Sequence, residues 1–445
     1  MFKDISFDGN LQHYGQKTFY IETFGCQMNE YDSALVEGLL EQRGFTAAAD
    51  VHSTDYLLMN TCSVREHAEN RVFSLLSQYK ALKDSNPSMK IAMLGCMVSE
   101  HRDALLAKYP HLDFAVGPEG YRQLPDLLAG GEKSRGAWLG EDSAEVYDEL
   151  LPAVNNFSGY VAITRGCNNF CSYCIVPHVR GRERSRPLES ITGEVRHLAG
   201  RGIKEITLLG QNVNSYESAG HRFADIIREV NAVEGVERIR FMTSHPKDLS
   251  DELLKAMAEC EKAAPHLHLP FQAGSDRILA LMNRRYTREH YLKLIRRAKK
   301  YLPGVSLTTD IITGFPTETE EEFAETLDLV EQIRFDDAFT YRYSPRPGTK
   351  AAEMDDDVPE AVKLSRLDRL IKTVRKISSE NLQKNIGAQF TVLIEKNSKK
   401  DPDWLMGKTE HNRVAVLPKG DFQPGELVKV KVEGLSGFTL RCRAV

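Results

Sequence analysis

Three of the eight cysteines fall within eight residues, in TRGCNNFCSYC, where Cys167, Cys171 and Cys174 form a C-x3-C-x2-C set on a loop directly after a predicted strand. One loop of that length wraps three thiols around a single centre without help from distant chain. Thiolates are soft ligands suited to iron–sulfur clusters or zinc. A structural zinc site takes four ligands, and the nearest candidates to complete it, His178 and His197, lack a paired-ligand spacing. Three thiolates on a four-iron cluster leave one iron open, as a centre that binds and cleaves a substrate requires. The plainer alternative is three packed or solvated cysteines.

Cys26, Cys62 and Cys96 lie 36 and 34 residues apart, yet their contexts match: TFGC, MNTC and MLGC each place the thiol just after a predicted strand. Neighbouring strands of a parallel sheet deliver their C-terminal loops to one crevice. The three are therefore expected to converge on a second cluster, again with one open iron, able to hold an extra sulfur ligand. A lone cysteine at such a place is usually buried packing. Cys260 and Cys442, which have no comparable partners, are read that way.

Positioning these residues takes a chain of 445 residues, enough for about three domains. With 41% hydrophobic and 27% charged residues, the composition is that of an ordinary folded protein. The start, MFKDISFDGN, lacks a basic, apolar leader, and no run of about 18 apolar residues appears. A cytoplasmic protein without a membrane partner is expected, in a compartment where cysteines serve metals or catalysis rather than disulfides. The net charge of -5 argues against a uniformly basic nucleic-acid coat and leaves a local basic surface open.

The fold class is α/β. In residues 1–130, TFYIETF, DYLLMN, KIAMLG and FAVG alternate with helical stretches, which predicts a parallel-sheet α/β domain. Residues 131–152, with the acidic stretch EDSAEVYDEL, read as a linker. In 153–380 six strand candidates, YVAIT, EITLLG, RIRFMTS, HLHLPFQ, SLTTDIITG and AFTYRY, predict a partial (β/α)6 barrel with its chemistry at the strands' C-terminal ends. An amphipathic helix from Pro359 to Gln383 follows. Residues 381–445 hold five short strand candidates, a small all-β barrel of the oligonucleotide-binding type.

A C-x3-C-x2-C set after the first strand of a βα barrel, with Tyr173 as the aromatic before the third cysteine, resembles the radical S-adenosylmethionine enzymes. With the second cysteine set and the C-terminal barrel, which resembles a TRAM domain, nearly the whole chain resembles the methylthiotransferases. GCNNFCSYCIVPHVRGRERSRP, LLGQNVNSY, HLPFQAGSDRILALMNRRYTREHY and TDIITGFPTETEEEF are most similar to the branch that modifies tRNA. The resemblance implies two [4Fe-4S] clusters. The one on Cys167, Cys171 and Cys174 would split S-adenosylmethionine to methionine and a 5′-deoxyadenosyl radical. The one on Cys26, Cys62 and Cys96 would serve sulfur delivery, and a second S-adenosylmethionine would give the methyl group. The implied substrate is N6-isopentenyladenosine at position 37 of a tRNA anticodon stem-loop, where C2 receives the methylthio group. Implied S-adenosylmethionine contacts are Tyr173, Gln211, Asn212, Ser244, Gln272 and Asp310. The chain departs from the wider radical class in having Gly-Gln-Asn where many members carry an acid for the ligand's amino group. Implied partners besides tRNA are a reductant such as a flavodoxin or ferredoxin and an iron–sulfur repair or carrier protein.

For RNA, Arg180, Arg182, Arg184 and Arg186 alternate just after the cluster loop, and the C-terminal barrel offers Lys408, Arg413, Lys419 and Lys429. Guanidinium groups pair phosphates and stack on bases. The bland alternative for the arginine run is an ordinary solvated stretch. Two more basic groups lie from Arg284 to Lys300 and on the helix at Lys363, Arg366, Arg369 and Lys372, the latter with a normal amphipathic linker helix as its alternative. Phe170 and Tyr343 are candidate stacking residues with core packing as the alternative, and TETEEEF reads as a helix start. Two other activities stay open: a methylthiotransferase acting on threonylcarbamoyladenosine-37 or a ribosomal protein aspartate, and a non-catalytic RNA-binding iron–sulfur protein, which would not cleave S-adenosylmethionine.

Overall fold

In the central strands of the N-terminal region both faces are apolar, so helices must cover both. The computed structural model describes residues 17–63, 66–130, 135–140, 145–148, 150–153, 157–399 and 401–445. It divides into two compact units: the chain up to Val154 together with Val176–Gly181, and Asn155–Ile175 together with Arg182–Val445. Among the described residues no helix is long and apolar enough to cross a membrane.

The first unit is built on a six-stranded parallel sheet in the order Thr46–Ala47, Thr18–Thr23, Tyr56–Thr61, Lys90–Gly95, Phe114–Val116, Gly136–Trp138. Every residue of Tyr56–Thr61 is buried. Alternate side chains point to opposite faces, so Tyr56 and Leu58 join one core with Leu35 and Leu40 of the helix Gln27–Gln42, while Leu57 and Met59 join another with Val72 and Leu76 of the helix Glu66–Ser85. The linker expected over 131–152 is corrected here. Gly136–Trp138 is the sixth strand, and Tyr147 and Leu150 bury in the same core as Phe19. Residues 131–134, 141–144 and 149 of that stretch lie outside the described residues.

In the second unit the six expected parallel strands form two three-stranded sheets. Ser158–Ala162, Glu205–Leu209 and Arg238–Phe241 make one; His266–His268, Ser306–Thr313 and Asp337–Arg342 make the other. A parallel bridge between Ile239 and Ala263 continues the curve. The first strand ends at Ala162. Thr164–Arg165 instead pairs antiparallel with Arg184–Ser185, which anchors the loop between them at both ends. After the helix Glu360–Gln383, five strands close a barrel in the order Gln389–Asn397, Trp404–Thr409, Val414–Pro418, Thr439–Ala444, Leu427–Ser436 around Val392, Leu405, Leu417, Val430 and Leu440. Cys442 sits in that core and Cys260 is also buried, as expected of small apolar side chains.

Candidate active site

Register brings the dispersed cysteines together. Thr23 lies opposite Asn60, and Asn60 opposite Leu94, so the three central strands of the first unit end side by side. Cys26 caps the helix Gln27–Gln42, Cys62 follows Thr61 directly, and Cys96 opens the helix Cys96–His101. Close approach depends on the preceding glycines. Gly25 has φ +116°, and a Cβ on it would stand 2.3 Å from the Cys62 Cβ; Gly95 has φ +92°, and its Cβ would stand 2.5 Å from the Thr61 carbonyl oxygen. Cys62 and Cys96 are buried and Cys26 borders solvent. A hydrogen bond from Cys62, the charge of Arg180 and the backbone N–H groups of Asn29 and Met28 together overcome burial and pull the Cys26 thiol down to about 6. Burial pushes the Cys96 thiol up, against the opposing pull of Arg180. Metal binding needs thiolates, a state toward which the Cys26 thiol is moved and from which burial holds the Cys96 thiol back.

A polar frame surrounds the three thiols. Asn29 donates to Asn60 Oδ1 at 3.1 Å and to the Thr61 carbonyl at 2.8 Å, and Asn60 returns bonds to the Asn29 carbonyl and Ser33 Oγ. Arg180 comes from the short helix Val176–Arg180. Its Nε lies 3.2 Å from Cys96 Sγ, and its Nη2 donates to Asp32 Oδ2 at 2.9 Å. Sequence reasoning missed Asn29, Asp32 and Asn60. Their signal was polar residues on a helix face and strand otherwise filled by apolar ones.

In the second unit, the Cys167–Cys174 loop is braced by the segment around Asn283. Ser172 N donates to the Met282 carbonyl at 3.1 Å and Ser172 Oγ to the Leu281 carbonyl at 2.8 Å. Asn283 Nδ2 donates to the Phe170 and Asn169 carbonyls. Arg284, 4% exposed, places Nη1 3.4 Å from Cys171 Sγ while it also donates to the Pro270 carbonyl and Tyr286 Oη. Burial raises the Cys167 thiol and holds the Tyr173 hydroxyl well above its ordinary value, so that tyrosine stays neutral.

Of the expected S-adenosylmethionine contacts, Gln211, Asn212, Ser244 and Gln272 lie just beyond the C-terminal ends of Glu205–Leu209, Arg238–Phe241 and His266–His268. Tyr173 lies in the cysteine loop, and Asp310 lies within the strand Ser306–Thr313. Gln211 Oε1, Asn212 Oδ1, Ser244 Oγ and Gln272 Oε1 are buried side-chain oxygens without a hydrogen-bond partner, as are Thr164 Oγ1 and, by its nitrogen, His245 Nε2. Leaving such an atom unpaired costs about 1–3 kcal/mol, so a ligand rich in donors, such as one with an ammonium group and ribose hydroxyls, fits this set. Gln272 is also strained, at φ +68°, and is held there by N–H donation to the Asp310 carbonyl at 3.0 Å. Asp310 differs from the other four, because its carboxylate lies 3.5 Å from His268 Nε2. Three potential ligands of one ion come within 4.8 Å among the described residues only at Glu69, Glu100 and His101, a partly exposed group that includes no cysteine.

Several RNA candidates are otherwise engaged. Arg180 and Arg186 are 4% and 1% exposed, and Arg186 donates to buried Glu194 at 2.6 Å; guanidinium groups committed to interior carboxylates are not offered to phosphates. Arg413 is tied to Asp336 at 2.6 Å. Arg366 and Lys363 are buried against Glu318 and Asp356, Arg369 pairs with Glu320, and Arg288 and Arg297 pair with Asp328 and Asp251. Tyr343 is core, against Phe315. Arg182 stays exposed and lies over the ring of exposed Phe170, 5.4 Å from its centroid; Arg184 is half-buried in the short strand pair, and Lys408 is half-exposed near Glu395.

Comparison with known proteins adds to this geometry. Residues 161–330 match the Radical SAM superfamily, residues 18–117 the Uncharacterized protein family UPF0004, and residues 383–445 the TRAM domain. The chain is similar to the tRNA-2-methylthio-N(6)-dimethylallyladenosine synthase of Thermoanaerobacter sp. (strain X514), with 47% identity over 95% of this chain and 92% of the relative. The synthase of the same name from Acetivibrio thermocellus is 44% identical over 98% of this chain and 93% of its own length. In fold the chain is similar to the radical S-adenosylmethionine methyltransferase TsrM from Kitasatospora setae, at 15% identity and a TM-score of 0.58, covering 76% of this chain and 77% of that one.

Proposed function

The chain belongs to the tRNA-2-methylthio-N6-dimethylallyladenosine synthase family of radical S-adenosylmethionine enzymes, and from that premise we propose that it replaces C2–H of N6-isopentenyladenosine-37 in tRNA by C2–S–CH3. The observation that carries the reading is the convergence of Cys26, Cys62 and Cys96 at adjoining strand ends, in a chain that also carries the compact Cys167–Cys174 loop. In this reading residues 1–130 hold an auxiliary [4Fe-4S] cluster, 153–380 the radical chemistry and 381–445 an RNA-binding barrel.

An aromatic C–H offers no acidic proton and no leaving group, so acid–base or nucleophilic catalysis has nothing to act on. When bound to Cys167, Cys171 and Cys174, a reduced [4Fe-4S] cluster supplies one-electron cleavage of S-adenosylmethionine and hence hydrogen-atom abstraction. The protein's own part is positional. Arg284, Asn283 and Ser172 hold the cysteine loop, and Gln211, Asn212, Ser244 and Gln272 present the unpaired oxygens that would orient the nucleoside ligand. Phe170 and Arg182 offer an exposed aromatic face and a cation beside that loop, suited to a base turned out of the anticodon loop. A flavodoxin- or ferredoxin-type reductant and an iron–sulfur carrier belong to the same proposal.

The test is anaerobic. Reconstituted protein, reductant and S-adenosylmethionine are incubated with tRNA carrying isopentenyladenosine, with tRNA carrying threonylcarbamoyladenosine, or with the ribosomal protein bearing the target aspartate, and the products are analysed by mass. A methylthio gain of the isopentenyl nucleoside alone is expected. Gain only in another arm would reassign the substrate, and absence of 5′-deoxyadenosine throughout would sink the enzyme reading.

A further inference from the structure

We propose that Arg180 and Asp32 form a charge-balancing positioning pair for the auxiliary site, in which the Arg180 guanidinium stabilises electron density on the Cys96 sulfur and the Asp32 carboxylate limits that effect. The inference rests on the reading that Cys26, Cys62 and Cys96 hold a cluster.

The pair is set deep in the first unit. Asp32 is 0% exposed and Arg180 4%, and they lie 2.9 Å apart. Burying two charges is costly, and an apolar pair of similar volume is often as stable or more so. A purely structural role is therefore a weak account of it. The geometry offers a better one, because the same guanidinium that pairs with Asp32 directs Nε at Cys96 Sγ from 3.2 Å. Hydrogen bonds to cluster sulfurs and nearby charge are among the levers that set iron–sulfur potentials. Positive charge at a ligand sulfur favours the reduced, more negative cluster, and negative charge opposes it. In a buried setting neither effect is screened as at the surface.

The second cysteine set has a counterpart with a different balance. Arg284 also points at a ligand sulfur, that of Cys171, but its other partners are a tyrosine hydroxyl and a carbonyl rather than a carboxylate. The auxiliary site alone therefore pairs its arginine with a buried acid, and that acid makes the proposal testable by sign.

The experiment uses the full chain with Cys167, Cys171 and Cys174 all replaced by Ala, so that reconstituted iron reports on the auxiliary site. Iron and sulfide content are measured first, then the midpoint potential by EPR-monitored titration. Arg180→Gln is expected to lower the midpoint and Asp32→Asn to raise it. Each shift should reach about a tenfold change in the oxidised-to-reduced ratio at fixed potential, which is about 59 mV for one electron. Arg180→Lys, which keeps the charge and loses the fork, should fall between Arg180→Gln and the parent. Shifts in the same direction for Arg180→Gln and Asp32→Asn, or none, would overturn the pair's role while leaving the cluster reading intact. If Arg180→Gln takes up no iron, Asp32→Asn decides alone: a raised midpoint supports the pair, and an unchanged or lower one overturns it. Failure of the parent to assemble any cluster would overturn the auxiliary reading and this inference with it.

Discussion

Single residues around the two cysteine sets divide into those that ligate and those that hold the ligands. Arg284 is of the second kind. Its guanidinium meets Cys171 Sγ, Tyr286 Oη and the Pro270 carbonyl at once, a span that a lysine ammonium cannot reproduce. Outer partners of metal ligands typically matter 10–100-fold. Arg284→Lys is accordingly expected to cut 5′-deoxyadenosine formation by about 10- to 100-fold, measured in single-turnover reactions at matched iron content; a wild-type rate would remove Arg284 from the site. Cys62→Ala separates the two sets. It should retain S-adenosylmethionine cleavage by the Cys167, Cys171, Cys174 centre while losing sulfur insertion, read as 5′-deoxyadenosine without methylthio nucleoside. Product formation by that variant would end the auxiliary-cluster reading.

At the scale of elements, helix ends do much of the fastening around the radical barrel. Thr319 and Glu322 form a capping box on the helix Glu320–Ile333, and the same Glu322 carboxylate accepts from Arg277 and from Ser275, itself the cap of the helix Asp276–Leu281. The hydrogen bonds from Arg277 lead in pulling the Glu322 carboxyl down to about 2. A folded value below the unfolded one, about 4.3, means that the contribution is complete above the unfolded value and is lost as pH falls from there toward 2. Glu322→Gln should therefore lower stability at neutral pH by about 1 kcal/mol, the worth of a cap, and the gap between the two proteins should close in acid. Thermal melts across that range check it, and a gap that persists at the lowest pH contradicts the assignment. The start of this helix was legible in TETEEEF, as were the six barrel strands and the five of the C-terminal barrel, because each shows its own period or cap. Thr164–Arg165 and Arg184–Ser185 were not, since two residues carry no period. Nor were the partners of the arginines. A run such as RGRERSR shows charge without showing that Asp32, 148 positions from Arg180, or Glu194, eight from Arg186, receives it.

Within the second unit, buried arginines link the partial barrel to the C-terminal barrel. Arg238 and Arg240, on one strand of the partial barrel, share the buried carboxylate of Glu205 and extend past it to the backbone. Arg238 donates to the Thr391 and Lys408 carbonyls, and Arg240 to those of Thr409 and Glu410. Arg413, expected from sequence to meet RNA, adds a bond to Asp336 from the other side. Backbone carbonyls as acceptors explain why the junction is invisible in sequence, because any residue supplies them. They also make the arginines hard to replace. Arg240→Ala strips two carbonyls of their donor and leaves Glu205 with a single guanidinium, a change of the kind that costs about 3–5 kcal/mol when a buried pair is broken. The expected outcome is a lower melting temperature, faster proteolytic release of the segment after Gln383, and weaker binding of tRNA, with tRNA-independent formation of 5′-deoxyadenosine retained. If tRNA affinity falls while the barrel stays protease-resistant, Arg240 acts on RNA more directly than its burial implies; if neither changes, the junction is held by its apolar contacts and the charges are incidental.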